Sequence, residues 1–109
     1  MEDSNFISTA ILHVKEEGLH HFIEMQRNVW NPGMKKAGGL IGGEFAISLN
    51  NKLHFLVLTG WKNQNTHQNY MLNLFPDLKK VAIPEQDVVN LEGEQFIVEN
   101  SWRVYPNSN

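Results

Sequence analysis

Two segments of this chain are apolar on both sides of an extended backbone. Residues Phe6 to Val14 read FISTAILHV, and Leu53 to Trp61 read LHFLVLTGW. A strand with one wet face alternates apolar and polar residues, whereas a near-continuous apolar run marks a strand covered on both faces. A sheet holding these two segments therefore needs a cover on each side. The rest of the chain must supply at least one.

The segments between supply helices. From Gly18 to Ala37, residues Leu19, Phe22, Ile23, Gln26, Val29 and Trp30 recur at helical spacing, with Glu24, Arg27 and Asn28 between them. Asn31-Pro32-Gly33 interrupts that pattern. Proline lacks an N–H and disfavours helix at the preceding residue, so the helix is predicted to end near Trp30. A short turn follows through Met34 to Ala37. A second strand is predicted from Gly38 to Leu49, closed by a hairpin turn at Asn50-Asn51-Lys52. The Gly38-Gly39 and Gly42-Gly43 pairs lack the strand-before, helix-after context of a phosphate loop; they suit tight turns and a bulge. After the third strand, Asn63-Gln64-Asn65-Thr66 offers helix caps, and Tyr70, Met71, Leu74, Phe75 and Leu78 form the stripe of a second helix that Pro76 shortens or kinks. Val81 to Glu94 has no clear period, and Pro84 and Gly93 act as breakers. The last strand is predicted over Gln95 to Tyr105, with Phe96, Val98, Asn100, Trp102 and Val104 on one face.

The resulting order is strand, helix, strand, strand, helix, strand. It predicts one α+β domain over residues 1–109, with its core at about 6–105: a ferredoxin-like βαββαβ four-stranded antiparallel sheet with both helices on one face. The helices cover one face only. A second copy packed on the other would complete the cover, giving a homodimer through the sheet face and a barrel-like core. Charge and composition exclude other partners. Nine Lys and Arg against twelve Asp and Glu leave a net charge of −3, which is the wrong sign for a nucleic-acid or anionic-lipid footprint. No apolar run approaches the ~20 residues of a membrane helix. The chain has no cysteine, which removes disulfides, thiolate metal sites and a cysteine nucleophile and suits a reducing cytoplasm. The opening Met1-Glu2-Asp3-Ser4-Asn5 is acidic and polar, unlike a signal peptide. A cytoplasmic protein is expected.

The element order, Trp61 closing the third strand in Leu58-Thr59-Gly60-Trp61, and the segment Trp30-Asn31-Pro32-Gly33-Met34-Lys35-Lys36-Ala37-Gly38-Gly39-Leu40 resemble the dimeric α+β barrel proteins of the antibiotic-biosynthesis-monooxygenase type. Gln26 to Gly43 looks most similar to the YdbC-like bacterial branch. The resemblance implies a homodimer with a small apolar-ligand pocket, and cofactor-independent oxygenation of an aromatic or quinol-type substrate. A non-catalytic ligand-binding or regulatory dimer is the alternative. Family members that degrade haem use an Asn on strand one, a Trp closing strand three and a His on helix two. Trp61 matches, but Phe6 to Val14 holds no Asn, and Tyr70 and Met71 stand where the His is expected. Haem is therefore disfavoured, and no cofactor is expected.

Cofactor-free oxygenation needs an apolar pocket and a base near its working pKa, for which histidine is suited. His67, Tyr70 and His13 are the catalytic candidates. Trp61, Gln26, Trp30 and Thr9 are the pocket candidates. Each has a plainer reading: Trp30, Trp61 and Tyr70 as core, and His67 as a solvated residue at a helix start. Gln26 is a polar residue on an apolar stripe, and a buried amide needs partners. Trp102 is read as interface or core. His13 and His54 are expected to approach each other on neighbouring strands, but no third metal ligand is evident, so no metal site is expected. His20 and His21, being consecutive, point apart and are read as surface or boundary residues. Glu16, Glu17, Glu92 and Glu94 are read as solvated.

Overall fold

A computed structural model describes residues 3–107. Met1 and Glu2 of the acidic opening, and the last two residues of the Asn-Ser-Asn tail, lie outside the described residues. Strand β1 (Phe6–Val14) leads through a short 3-10 turn to helix α1 (Leu19–Met25). A π-helical turn over Gln26–Trp30 and a last helical piece α2 (Asn31–Met34) continue it. Strands β2 (Leu40–Ile47) and β3 (His54–Trp61) follow, then helices α3 (Gln64–Asn73) and α4 (Phe75–Ala82), and strand β4 (Val88–Ile97). The strands form one antiparallel sheet in the order β2-β3-β1-β4, the ferredoxin-like arrangement that the order of elements predicts.

The two apolar segments are the central strands, paired from Phe6–Trp61 to His13–His54. Alternation divides them between two faces. Phe6, Ser8, Ala10, Leu12 and Val14 share the helix side with Phe55, Val57, Thr59 and Trp61. There, Leu12, Val14, Phe22 and Phe55 form one core cluster, and Phe6, Trp61 and Tyr70 a second. The other face carries Ile7, Thr9, Ile11 and His13 beside Leu56 and Leu58, with Phe96 across from Ile7. Ile11 is 53% exposed and Phe96 44% exposed. This is the uncovered apolar face expected from the sequence, flanked on the edge strands by Glu44, Glu92 and Glu94.

The β2 register shifts between Leu40 and Gly42, which is the expected bulge. Just before it, Gly39 has φ +83° and its carbonyl accepts from the Lys62 N–H at 2.8 Å. A Cβ there would also lie 2.4 Å from Thr66 Cβ, so space and backbone both require glycine. Asn63 caps α3: its side chain accepts from the Thr66 N–H at 2.9 Å. Pro76 sits in the first turn of α4, where its missing N–H costs nothing, and this divides the second helix.

Two sequence expectations need correction. The first helix does not end before Pro32. In a regular α-helix, proline's ring would meet the carbonyl four residues back. Here the Gln26–Trp30 turn widens, the Asn31 N–H bonds the Gln26 carbonyl five residues back, and the chain stays helical to Met34. The last strand is Val88–Ile97, not Gln95–Tyr105. Asn100–Trp102 is a 3-10 turn, and Trp102 is 81% exposed, outside both the core and the sheet. Gly93 does not break β4 because it pairs with Ala10 inside the ladder.

Candidate functional site

The site grows from the widened turn in the first helix. Gln26 is buried, and its side-chain Nε2 donates to Asn31 Oδ1 at 2.8 Å. Backbone and side chain thus join the same two residues across the π turn, and the buried amide gains the partner it needs. Such turns recur at functional sites because they re-aim side chains. Here Gln26 and Trp30 both border a cavity of about 270 Å³ between the helices and the sheet. Ala10, Val57 and Thr59 contribute from the sheet, Tyr70 and His67 from α3, and Phe75 from α4. The Trp30 ring lies 5.4 Å from Phe75.

α3 places its two polar candidates one turn apart, at His67 and Tyr70, so both fall on one face of the helix. Each ring centroid lies 5.2 Å from that of Trp61, and His67 is 5.2 Å from Phe6 as well. The aromatic packing leaves His67 only 8% exposed despite its place in the first turn of α3. Its burial decides its chemistry. Loss of water disfavours the charged imidazolium, so the His67 pKa is held below its usual value. The same desolvation pushes Tyr70 up to about 12. At neutral pH the pair therefore offers an unprotonated imidazole and a protonated phenol, which are an acceptor and a donor facing one apolar chamber.

Trp61 is fully buried and lies behind these two side chains rather than on the cavity wall. Its indole N–H is satisfied at Thr59 Oγ1, 2.9 Å away. Thr9 borders the cavity through β1, but alternation places its side chain with Ile7 and Ile11, and its hydroxyl donates to the Glu94 carbonyl at 3.1 Å. His13 is not brought to the chamber. It faces the other side of the sheet, with its ring centroid 4.1 Å from His54 as strand pairing predicts. No third metal-ligating group joins that pair among the described residues. His20 pairs with Glu24 at 3.0 Å on the surface, and His21 bonds the buried Asp87. Phe75 and Met71, chamber residues not singled out from the sequence as site residues, lie on the helical stripe that reads as core.

No protein-family model and no curated protein sequence matches the chain. Solved structures do match it. A monooxygenase from the gene ActVA-Orf6 of Streptomyces coelicolor, in complex with nanaomycin D, superposes with a TM-score of 0.78 at 9% identity, over 98% of this chain and 96% of that one. A dimeric ferredoxin-like protein from an uncultured marine organism gives 0.77 at 14% identity, over 98% and 96%. A conserved protein from Methanosarcina mazei gives 0.74 at 16%, over 90% and 96%. The chain has the fold of the antibiotic-biosynthesis-monooxygenase-like proteins. In this monooxygenase-like fold His67, Tyr70, Gln26 and Trp30 share the chamber between helices and sheet. No helix is long and apolar enough to cross a membrane among the described residues.

Proposed function

We propose that this protein is a homodimeric, monooxygenase-like protein that oxygenates an electron-rich aromatic or quinol-type substrate in the chamber, without a resident cofactor. The observation that carries the reading is the opposite tuning of His67 and Tyr70 on one wall of an apolar cavity. Pairs of groups whose surroundings push their pKa values apart take up acid and base roles. His67 accepts the proton of an activated ring carbon or hydroxyl. Tyr70 keeps its own proton and donates a hydrogen bond to the substrate oxygen, where negative charge collects. The substrate anion then reduces dioxygen. For an anthrone, the ring CH2 and one O2 become a carbonyl and one water, so the electrons come from the substrate and the balance closes.

The binding of nanaomycin D by the Streptomyces protein supports a small-molecule occupant, and the dimeric marine relative supports a second copy on the open sheet face. Dithranol, an anthrone, is a direct probe. Oxygen uptake above the buffer rate is expected, falling ~100-fold or more in His67→Phe, the range that loss of a general base removes. Uptake at the buffer rate, or uptake that His67→Phe leaves unchanged, overturns the catalytic reading. Binding of dithranol without turnover would assign the chamber to a ligand-binding dimer instead.

A further inference from the structure

We infer that the chamber is only half of the ligand site, and that its natural occupant is an aromatic acid whose carboxylate lies at Arg27 and Lys35. The inference rests on the reading of the chamber as a ligand site. Gln26, Met34, Val57 and Thr59 border the chamber on one side and a second space of about 610 Å³ on the other. That second space runs between the widened helical turn and strand β2. Its existence has a local cause. Gly43 pairs with Thr59 on the helix side of the sheet and puts no side chain there, so the strand is bare beneath Asn31 and Met34. A Cβ on Gly43 would stand 3.3 Å from Thr59 Cγ2 and 3.0 Å from the Leu58 carbonyl.

The two spaces differ in character. The inner one is walled by Phe22, Trp30, Tyr70 and Phe75 and takes a ring. The outer one has Arg27 and Lys35 on its helical wall, both exposed, and among the described residues neither is paired with a carboxylate. Glu44 borders the groove through β2, but its register opposite Leu58 puts its side chain on the far face of the sheet. In a chain with a net charge of −3, two unpaired cations beside a groove favour an anion there. A guanidinium receives a carboxylate in fork geometry. The buried Gln26, whose Nε2 is already engaged by Asn31, stands at the junction and fixes how the ring enters.

Two fluorescent probes with the same ring system separate the halves. 8-Anilinonaphthalene-1-sulfonate carries an anion, and N-phenyl-1-naphthylamine does not. In the wild type, each is expected to displace the other. The double variant Arg27→Gln/Lys35→Gln is expected to weaken the sulfonate at least about tenfold and to leave the neutral probe within about twofold. Both substituted residues are exposed, so the fold is retained, and a melting curve checks this. Ala10→Leu, which fills the inner chamber, is expected to weaken both probes. If the sulfonate ignores loss of the two cations while both probes respond to Ala10→Leu, the acid end is overturned and the chamber stands. If the probes neither displace each other nor respond to Ala10→Leu, the chamber reading falls, and this inference falls with it.

Discussion

His67 illustrates how little of a residue's chemistry is set by its position along a helix. In the first turn of α3 a solvated side chain is the ordinary outcome. The rings of Phe6 and Trp61 bury it instead. Those rings arrive from β1 and β3, so no local pattern around His67 announces its burial. Tyr70 is different, since it lies on the apolar stripe and its burial is legible. The His67 shift has a thermodynamic consequence with a definite sign. Above the unfolded value of about 6.5, the imidazole is neutral in both states and burial carries no proton penalty. As the pH falls through that value the unfolded chain takes up a proton first, because the folded pKa is lower. The native state therefore loses stability between that value and its own lower pKa. Urea unfolding at pH 7 and pH 5 is expected to show a larger loss for the wild type than for His67→Phe. Equal losses would mean that His67 is not desolvated in the folded protein. On the same grounds, oxygen uptake with dithranol should be level through neutrality and decline only below the ordinary histidine range.

At the scale of elements, β1 could be read to its ends because an apolar run bounded by Lys15-Glu16-Glu17-Gly18 has one interpretation. Two other elements misled for opposite reasons. Gln95 to Tyr105 alternates like a strand, but alternation says nothing of whether a partner strand lies alongside, and beyond Ile97 the strand ends. The sequence predicts an end to the first helix near Trp30 because the rule about proline assumes α-helical neighbours. One wider turn removes the clash and keeps the axis going. The proline and the site are thus linked. The widened turn that tolerates Pro32 also sets the Gln26–Asn31 bond and the position of Trp30 on the chamber wall. Replacing Pro32 by alanine restores an N–H and removes the ring, so regular α-helix becomes available at Gln26–Trp30 and the helix gains a bond. The expected result is a melting temperature equal to or above the wild type, with affinity for N-phenyl-1-naphthylamine weakened several-fold. If both stability and affinity fall together, proline is a simple packing residue. If neither changes, the turn is held by the Gln26–Asn31 pair alone.

The whole molecule poses the problem that its two central strands raised at the outset. The helices bury the side of the sheet that carries Leu12, Val14, Phe55 and Trp61, and no helix covers the side that carries Ile7, Ile11, Leu56, Leu58 and Phe96, where Ile11 and Phe96 are exposed and the others half-buried. The sequence carried this much, because a strand apolar on both faces needs two covers wherever it sits. The narrower likeness to the YdbC-like branch rests on Gln26 to Gly43 alone, and the substrate was not legible, because the chamber is assembled from residues of β1, β3, β4 and every helical piece from α1 to α4, and no motif spans them. The open face is where the proposed second copy belongs. Ile11 tests it best: it stands on a central strand, opposite Leu56 and Glu92, and its side chain makes no part of the chamber. A lysine there costs the monomer little, since half the residue is already in water and Glu92 stands across from it, but it would force a long charged side chain into the contact between copies and repeat it across the two-fold axis. Light scattering is expected to give twice the chain mass of 12.5 kDa for the wild type and the single-chain mass for Ile11→Lys, with far-UV circular dichroism unchanged. A wild type that runs at the single-chain mass over a wide concentration range would remove the homodimer. The apolar face would then need another cover, and the exposed Trp102, Val104 and Tyr105 beyond β4 carry apolar surface of their own.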